Sequence, residues 1–257
     1  MTWIIGHILA VGIGLSLGLI GGGGSILAVP ILIYVLDTQP KAAIAMSLVI
    51  VGTVSLIGVI PHWRQGHVNV RTAAIFTPVA MLGAFLGARL ASLPWITETI
   101  QLISFGIVMV LASVLMIRDP GIKSPLQRSS QTASHPHPKH HWLTIPLEGL
   151  GVGVLTGFVG VGGGFAIIPA LVLFGDLPIK EAIGTSLLII AFKSATGFLG
   201  YLNQVELDWM LIITFTLAAS LGTVIGASLT RIFEAKQLQK GFGYFVLVVA
   251  VFVLAKQ

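Results

Sequence analysis

Cysteine is absent from this 257-residue chain, which removes disulfides, thiolate metal sites and cysteine nucleophiles. Charge is scarce as well, since Asp, Glu, Lys and Arg make up only 9% of the residues. No carboxylate lies deep in an apolar run, and Glu148 and Glu181 fall near segment ends, so a carboxylate proton relay of the usual kind is not evident. No Ser/His/Asp or His/Glu constellation points to catalysis. The expectation is a protein that is not an enzyme and has no cofactor or dedicated metal site. Segments of ten residues with alternating polarity are also missing, which excludes a membrane β-barrel.

What the chain has in abundance is apolar surface, with 55% hydrophobic residues and a mean hydropathy of +0.99. Nearly uncharged runs of about 20 residues recur, each long enough to cross roughly 30 Å of hydrocarbon. They fall at about 4–36, 42–61, 72–91, 97–117, 143–174, 181–200, 209–230 and 239–255. This reads as an all-α, polytopic membrane protein whose surroundings are the lipid bilayer. The formal charge of +5 comes from cations lying mostly in connecting loops. That distribution reports membrane orientation, not a nucleic-acid footprint. Met1 to Ile5 carry neither a basic leader nor a small-residue cleavage site, so they are expected to begin the first membrane segment.

The segment from Arg118 to His141 is rich in Ser, Pro, His, Lys and Arg, and reads as a solvated linker. It divides the chain into a first membrane repeat (1–117), a linker (118–142) and a second membrane repeat (143–257). Its His135-Pro136-His137-Pro138-Lys139-His140-His141 run offers imidazoles to a transition metal; a plain tether is the simpler account. The two halves are copies. Aligning 18–91 with 157–230 without a gap matches 24 of 74 positions, among them Pro30/Pro169, Asp37/Asp176, Lys41/Lys180, Ser47/Ser186, Ser55/Ser194, Gly83/Gly222 and Gly87/Gly226. Repeated glycines, prolines and polar residues are not produced by shared greasiness, and internal repeats of this kind mark transporter folds.

Inside the first apolar run of each half sits a cluster that should break a helix: Gly21-Gly22-Gly23-Gly24-Ser25 ending at Pro30, and Gly160-Val161-Gly162-Gly163-Gly164 ending at Pro169. No Gly-Lys-Ser/Thr follows and no strand precedes, so these are not nucleotide loops. Irregular backbone at membrane depth is tolerated only where it is buried in protein or lines a wet cavity. Either the clusters line a cavity, or their small residues let helices pack closely. In the first case the following helices are expected to begin near Ser25 and Gly164 and to turn free N–H groups and a positive dipole end towards an anion.

The runs at 4–36 and 143–174 are too long for one span. If each is one broken span, Lys and Arg divide seven against six between the two faces. If each is a hairpin of short helices returning to its own side, the division is ten against three, which satisfies the positive-inside rule. The hairpin then leaves three full spans per half, an odd number, and the second repeat is inverted relative to the first. The linker is expected to be cytoplasmic and both termini outside.

Lys193 is the one basic residue deep in a span, where a charge costs on the order of 3 kcal/mol on insertion scales. Its repeat mate is Val54, so the shared scaffold does not need the charge, and a substrate role follows. Snorkelling would need a reach of roughly 10 Å. Nearby hydroxyls at Thr185, Ser186, Ser194 and Thr196, with Ser47, Thr53 and Ser55 in the first half, either donate to an oxyanion or bond their own helix carbonyls. His62, Gln65, Tyr201, Asn203 and Gln204 lie at segment ends, as entrance residues or interfacial anchors. Arg89, near the end of its span, either attracts anions or snorkels.

The Gly-rich, Pro-terminated segment is followed in both halves by an Asp, a Lys and a Ser-Leu pair: Asp37, Lys41 and Ser47-Leu48, then Asp176, Lys180 and Ser186-Leu187. This combination resembles the sulfite exporter TauE/SafE family, over nearly the whole chain outside the linker. Members of that family are thought to move small anions, such as sulfite and organosulfonates, across the bacterial inner membrane, often outward. The resemblance implies a multi-pass inner-membrane transporter with a site at Gly21, Gly22, Gly23, Gly24 and Ser25, at Gly160, Gly162, Gly163 and Gly164, and at Ser47, Thr185 and Ser186. Lys193 joins that substrate site from its burial cost alone. The first half departs at Ala45-Met46, where the second has Gly184-Thr185. The resulting expectation is export of a small anion by alternating access at a midplane site between the repeats. A proton- or sodium-coupled anion carrier, and a non-transporting assembly or metal-delivery protein using the His-rich linker, are the alternatives. The identity of the anion, the direction and the oligomeric state are left open.

Overall fold

Backbone polar groups facing hydrocarbon must be bonded within their own element, and a helix meets that requirement turn by turn. The computed structural model describes residues 2–91, 93, 95–118, 141–159, 167–168, 171, 177–201, 205–230 and 234–255, and every regular element among them is helical. In chain order these are α1 (Thr2–Ile20), a 3-10 turn (Gly23–Leu27), α2 (Ala28–Tyr34), α3 (Pro40–Arg64), α4 (Val70–Ala91), α5 (Glu98–Ile117), α6 (His141–Val159), α7 (Ile179–Tyr201), α8 (Trp209–Leu229) and α9 (Ala235–Ala255). Among the described residues five helices, α1, α3, α4, α7 and α8, are long and apolar enough to cross a membrane. The Gly160 to Gly164 cluster, Asn203, Gln204 and nearly all of the linker lie outside the described residues.

Local chemistry sets the starts. Pro40 opens α3 at a first-turn position, where a missing N–H costs nothing. Asn69 Oδ1 accepts from the amide of Thr72 at the head of α4, and its repeat mate Asp208 accepts from Leu211 at the head of α8. Each side-chain acceptor satisfies a first-turn amide that has no partner within the helix.

The glycine cluster turns the chain back on itself. Gly21 has φ +77°, a left-handed conformation that glycine adopts without penalty. Beyond it the chain returns along α1: Gly24 lies against Ile13 and Leu17, and Leu36 against Gly6. The hairpin is therefore real in this half, with two differences from the expected geometry. Its first arm is not short, because α1 has 19 residues, about 28 Å at 1.5 Å per residue. Its second arm does not start as an α-helix at Ser25. A 3-10 turn intervenes and α2 begins at Ala28, running only 7 residues. The turn runs straight into α2, so that Gly23–Tyr34 forms one short apolar helix.

Four Gly-x-x-x-Gly pairs hold the bundle together, and each holds one half to the other. Gly14 and Gly18 of α1 press on Ala219, Thr223 and Ala227 of α8, while Gly222 and Gly226 of α8 press on Val11 and Leu15 of α1. Shifting every residue by 139 reproduces the arrangement: Gly153 and Gly157 of α6 meet Ala80 and Ala84 of α4, and Gly83 and Gly87 of α4 meet Leu150 and Val154 of α6. Across the first of these contacts Thr223 donates to the carbonyl of Gly14 at 2.9 Å. Lipid is as apolar as leucine, so close backbone approach supplies the cohesion that water would supply to a soluble bundle.

Between these flanking pairs, α3 and α7 pack against each other. Leu48 meets Gly197, Gly52 meets Ser194, Gly58 meets Leu187 and His62 meets Gly184. As the residue number rises on one helix it falls on the other, so these repeat-equivalent helices run antiparallel. Their crossing lies near residues 53–54 and 192–193, close to the middle of both helices. Helix α5 packs on its repeat mate α9.

A Cβ at Gly14 would overlap the Ala219 backbone, whereas Gly12, two residues earlier in α1, has open space around it. Gly14→Val is expected to destabilise the protein by about 2 kcal/mol or more, and Gly12→Val to leave it near wild type. Thermal unfolding of the two purified variants in detergent measures the difference.

Candidate functional site

The hairpin tip of the first repeat is buried against a helix of the second. Gly21 to Ser25 are all buried, and a Cβ on Gly21 would lie 2.9 Å from Ser186 Oγ and 3.0 Å from the carbonyl of Ile183. Glycine at 21 is thus required twice, by its positive φ and by its contact with α7. The Ser25 hydroxyl donates to the carbonyl of Gly22 at 2.7 Å, which closes the tip upon itself. The Gly21 amide still reaches back to the Leu17 carbonyl. Thr185, beside Ser186, accepts from the amide of Asn69 at 2.8 Å and so ties the start of α7 to the α3–α4 loop.

Ser47 and Ser186 are repeat mates and are not brought together. Both are fully buried, and each donates 2.7 Å to a carbonyl of its own helix, Ile44 and Ile183 respectively. In the antiparallel α3/α7 pair they sit on opposite sides of the crossing, separated by roughly 18 Å along the helices at 1.5 Å per residue. The candidate residues therefore spread over three levels: a hairpin tip with Gly21 and Ser186, the crossing, and the level of Ser47.

Lys193 stands at the level of the crossing. It is 1% exposed and its Nζ donates to Thr156 Oγ1 on α6 at 2.5 Å. It does not snorkel. Thr156 is buried as well and passes its own proton to the carbonyls of Val152 and Gly153. No charged partner of Lys193 is found among the described residues. The repeat mates of this pair are Val54 and Leu17, both fully buried, so one half is greasy where the other holds a lysine. Two neighbouring hydroxyls are also without partners: Ser55 and Ser194 Oγ are buried and unbonded. Thr53 and Thr196, by contrast, bond back to Val49 and Lys193 carbonyls of their own helices.

Two residues assigned to segment ends prove to be buried anchors. His62 Nε2 lies 3.0 Å from the carbonyl of Gly18 at the end of α1. Its repeat mate Tyr201 donates 3.1 Å to the carbonyl of Gly157 at the end of α6 and 3.2 Å to that of Phe158. Gln101 of α5 adds bonds to Phe158 O and to the Tyr201 hydroxyl. Helices α1 and α6 each leave carbonyls open at the last turn, and the last turn of α3 or α7 meets one of them. The matched positions 62 and 201 carry that signal in the sequence, but a ring nitrogen and a phenol are not read as equivalents until the shared acceptor is seen. Gln65 lines a groove of about 400 Å³ on the outer face between α3 and α8, with Ile57, Ile60, Pro61, Arg64, Val224 and Ser228. Arg89 is exposed and stacks over Phe85, 5.4 Å from its ring centroid, a cation–π placement usual for a helix end.

The model of the family described as "Sulfite exporter TauE/SafE" matches residues 7–253, a span that includes both glycine clusters and both anchors. The chain belongs to the TauE/SafE family. It is 36% identical over 251 residues to a probable membrane transporter protein of Xylella fastidiosa (strain 9a5c), covering 94% of this chain and 91% of that one. It is 26% identical over 221 residues to the probable membrane transporter protein YdhB of Bacillus subtilis (strain 168), covering 86% and 87%. No solved structure matches it significantly. Like these relatives, the chain is a multi-pass membrane transporter.

Removing the phenol oxygen takes the side-chain donor from the buried Gly157 carbonyl and one of two acceptors from Gln101, which keeps its bond to Phe158 O. Tyr201→Phe is expected to cost about 1–3 kcal/mol, read as a lower thermal midpoint in detergent.

Proposed function

We propose that the protein exports small anions, of the sulfite or organosulfonate class, across the inner membrane by alternating access at the α3/α7 crossing. The observation that carries this reading is Lys193, an ammonium 1% exposed at mid-helix whose recorded partner is a neutral hydroxyl. Holding a cation in hydrocarbon without a countercharge costs several kcal/mol, which is why such residues mark substrate pathways. An anion that enters the crossing supplies the missing charge. Gly21 to Ser25 with Thr185 and Ser186, and by repeat symmetry Gly160 to Gly164 with Ser47, then flank the path as the two hairpin tips.

The two repeats are inverted in the bilayer, the linker is a cytoplasmic tether, and both termini lie outside. The antiparallel run of α3 and α7 and the return of the chain along α1 support this arrangement, as does the ten-against-three division of Lys and Arg. Alternating access follows from it in a simple way, since exchanging the conformations of two inverted repeats exchanges the side that is open. Export of an anion from a cell that is negative inside is downhill by about 2.3 kcal/mol per charge per 100 mV, so potential-driven uniport needs no coupled ion.

Counterflow of labelled sulfite, sulfonates and sulfate in proteoliposomes tests the activity. Exchange of a sulfite or sulfonate is expected in the wild type, and absence of exchange for all of them removes the reading. Lys193→Met is expected to abolish that exchange while the protein still inserts; undiminished exchange takes Lys193 out of the mechanism. A reporter fused after Lys256 is expected to be active only on the outer face.

A further inference from the structure

We propose that Ser55 and Ser194 form a symmetric pair of anion-binding donors at the α3/α7 crossing, and that the occupant they share with Lys193 is a singly charged oxyanion. The inference rests on the transport reading above and adds to it the residues that hold the substrate and the charge it carries.

A serine inside a helix ordinarily donates to a carbonyl three or four residues back. Ser47, Thr53, Ser186 and Thr196 all do so on these same two helices. Ser55 and Ser194 do not. Both are fully buried, and both hydroxyl oxygens lack any hydrogen-bond partner. A buried, unbonded hydroxyl is a standing cost, and here the cost is incurred twice, at positions that map onto each other under the 139-residue shift. Positions 53 and 54 between the repeats differ from their mates Phe192 and Lys193, yet serine is kept at both 55 and 194.

Their place is equally specific. Ser194 packs against Gly52, where a Cβ would sit 3.1 Å from the serine Cβ, and the symmetry places Ser55 against Ala191, the mate of Gly52. One hydroxyl therefore belongs to each helix, within two residues of the point about which the repeats are related. When the crossing parts towards one face or the other, a ligand at that point meets one serine from each repeat in both states. Lys193 stands at the same level, next to Ser194 in the chain and with its Nζ on Thr156 of α6, and brings a single positive charge. A monoanion is neutralised there, whereas a dianion carries an uncompensated charge into a dry bundle. Two hydroxyl donors and an ammonium also call for a ligand with several acceptor atoms, which an oxyanion provides.

The test uses the full chain in proteoliposomes with labelled methanesulfonate as the monoanion and labelled sulfate as the dianion. For Ser55→Ala and Ser194→Ala, the KM for methanesulfonate is expected to rise about five- to tenfold each, the loss of one hydrogen bond, and further in the double variant. Both entry and exit are expected to be affected. Thermal stability in detergent is expected to hold or rise, because alanine removes an unbonded polar atom. A double variant with wild-type KM overturns the proposal while leaving the transport reading intact. A loss of transport matched by a lower thermal midpoint overturns it too, by assigning the serines to packing. Preference of the wild type for sulfate over methanesulfonate overturns the monoanion assignment. Absence of exchange of every anion by the wild type instead removes the transport reading on which the pair depends.

Discussion

Everything in this bundle depends on backbone meeting backbone at the glycine pairs of α1 with α8 and of α4 with α6. Between helices in lipid there is no water to expel, so attraction has to come from the number of atoms brought within contact distance. Gly14, Gly18, Gly222 and Gly226 bring one pair of helix axes close, and Gly83, Gly87, Gly153 and Gly157 do the same for the other. Because each pair joins one half to the other, the hairpin of the first repeat is seated in the second. That seating is what presses Gly21 onto Ser186 and leaves α3 and α7 to meet in the middle.

Upon this symmetric frame the chemistry is unsymmetric. The frame positions are shared: glycine for glycine at the contacts, Asn69 for Asp208 at the helix starts, His62 for Tyr201 at the anchors. Among the buried departures, Val54 is answered by Lys193, Leu17 by Thr156 and Met46 by Thr185. Two copies of one scaffold thus carry different side chains at matched positions, and the second copy holds the buried lysine.

The repeat, the hairpin and the buried cation were all readable in the chain, because each leaves a mark that survives without coordinates. A fixed 139-residue offset, an unusual density of glycine in an apolar run, and a lysine far from any segment end are such marks. The 3-10 route from Gly23 to Leu27 was not, since whether a glycine-rich segment continues as α-helix is settled by what it packs against, here Ile13 and Leu17. Nor were the partners of the glycine pairs. Spacing shows that Gly14 and Gly18 face the same way, but nothing local says that the surface they face is over 200 residues further along. The anchoring roles of His62 and Tyr201 escaped for a related reason, because their acceptors are main-chain carbonyls, which every residue has.

The packing of α1 on α8 and of α4 on α6 also has a consequence for how the protein is made. While the first repeat enters the membrane, the glycine face of α1 has no helix to meet, and it stays against lipid until α8 is synthesised. The contact α4 needs, on α6, likewise waits until the linker has been crossed. Neither half can therefore reach its final packing alone, and the order of synthesis is not the order of assembly. A chain cut within the linker would still hold all the surfaces it needs, provided both pieces met in the same bilayer.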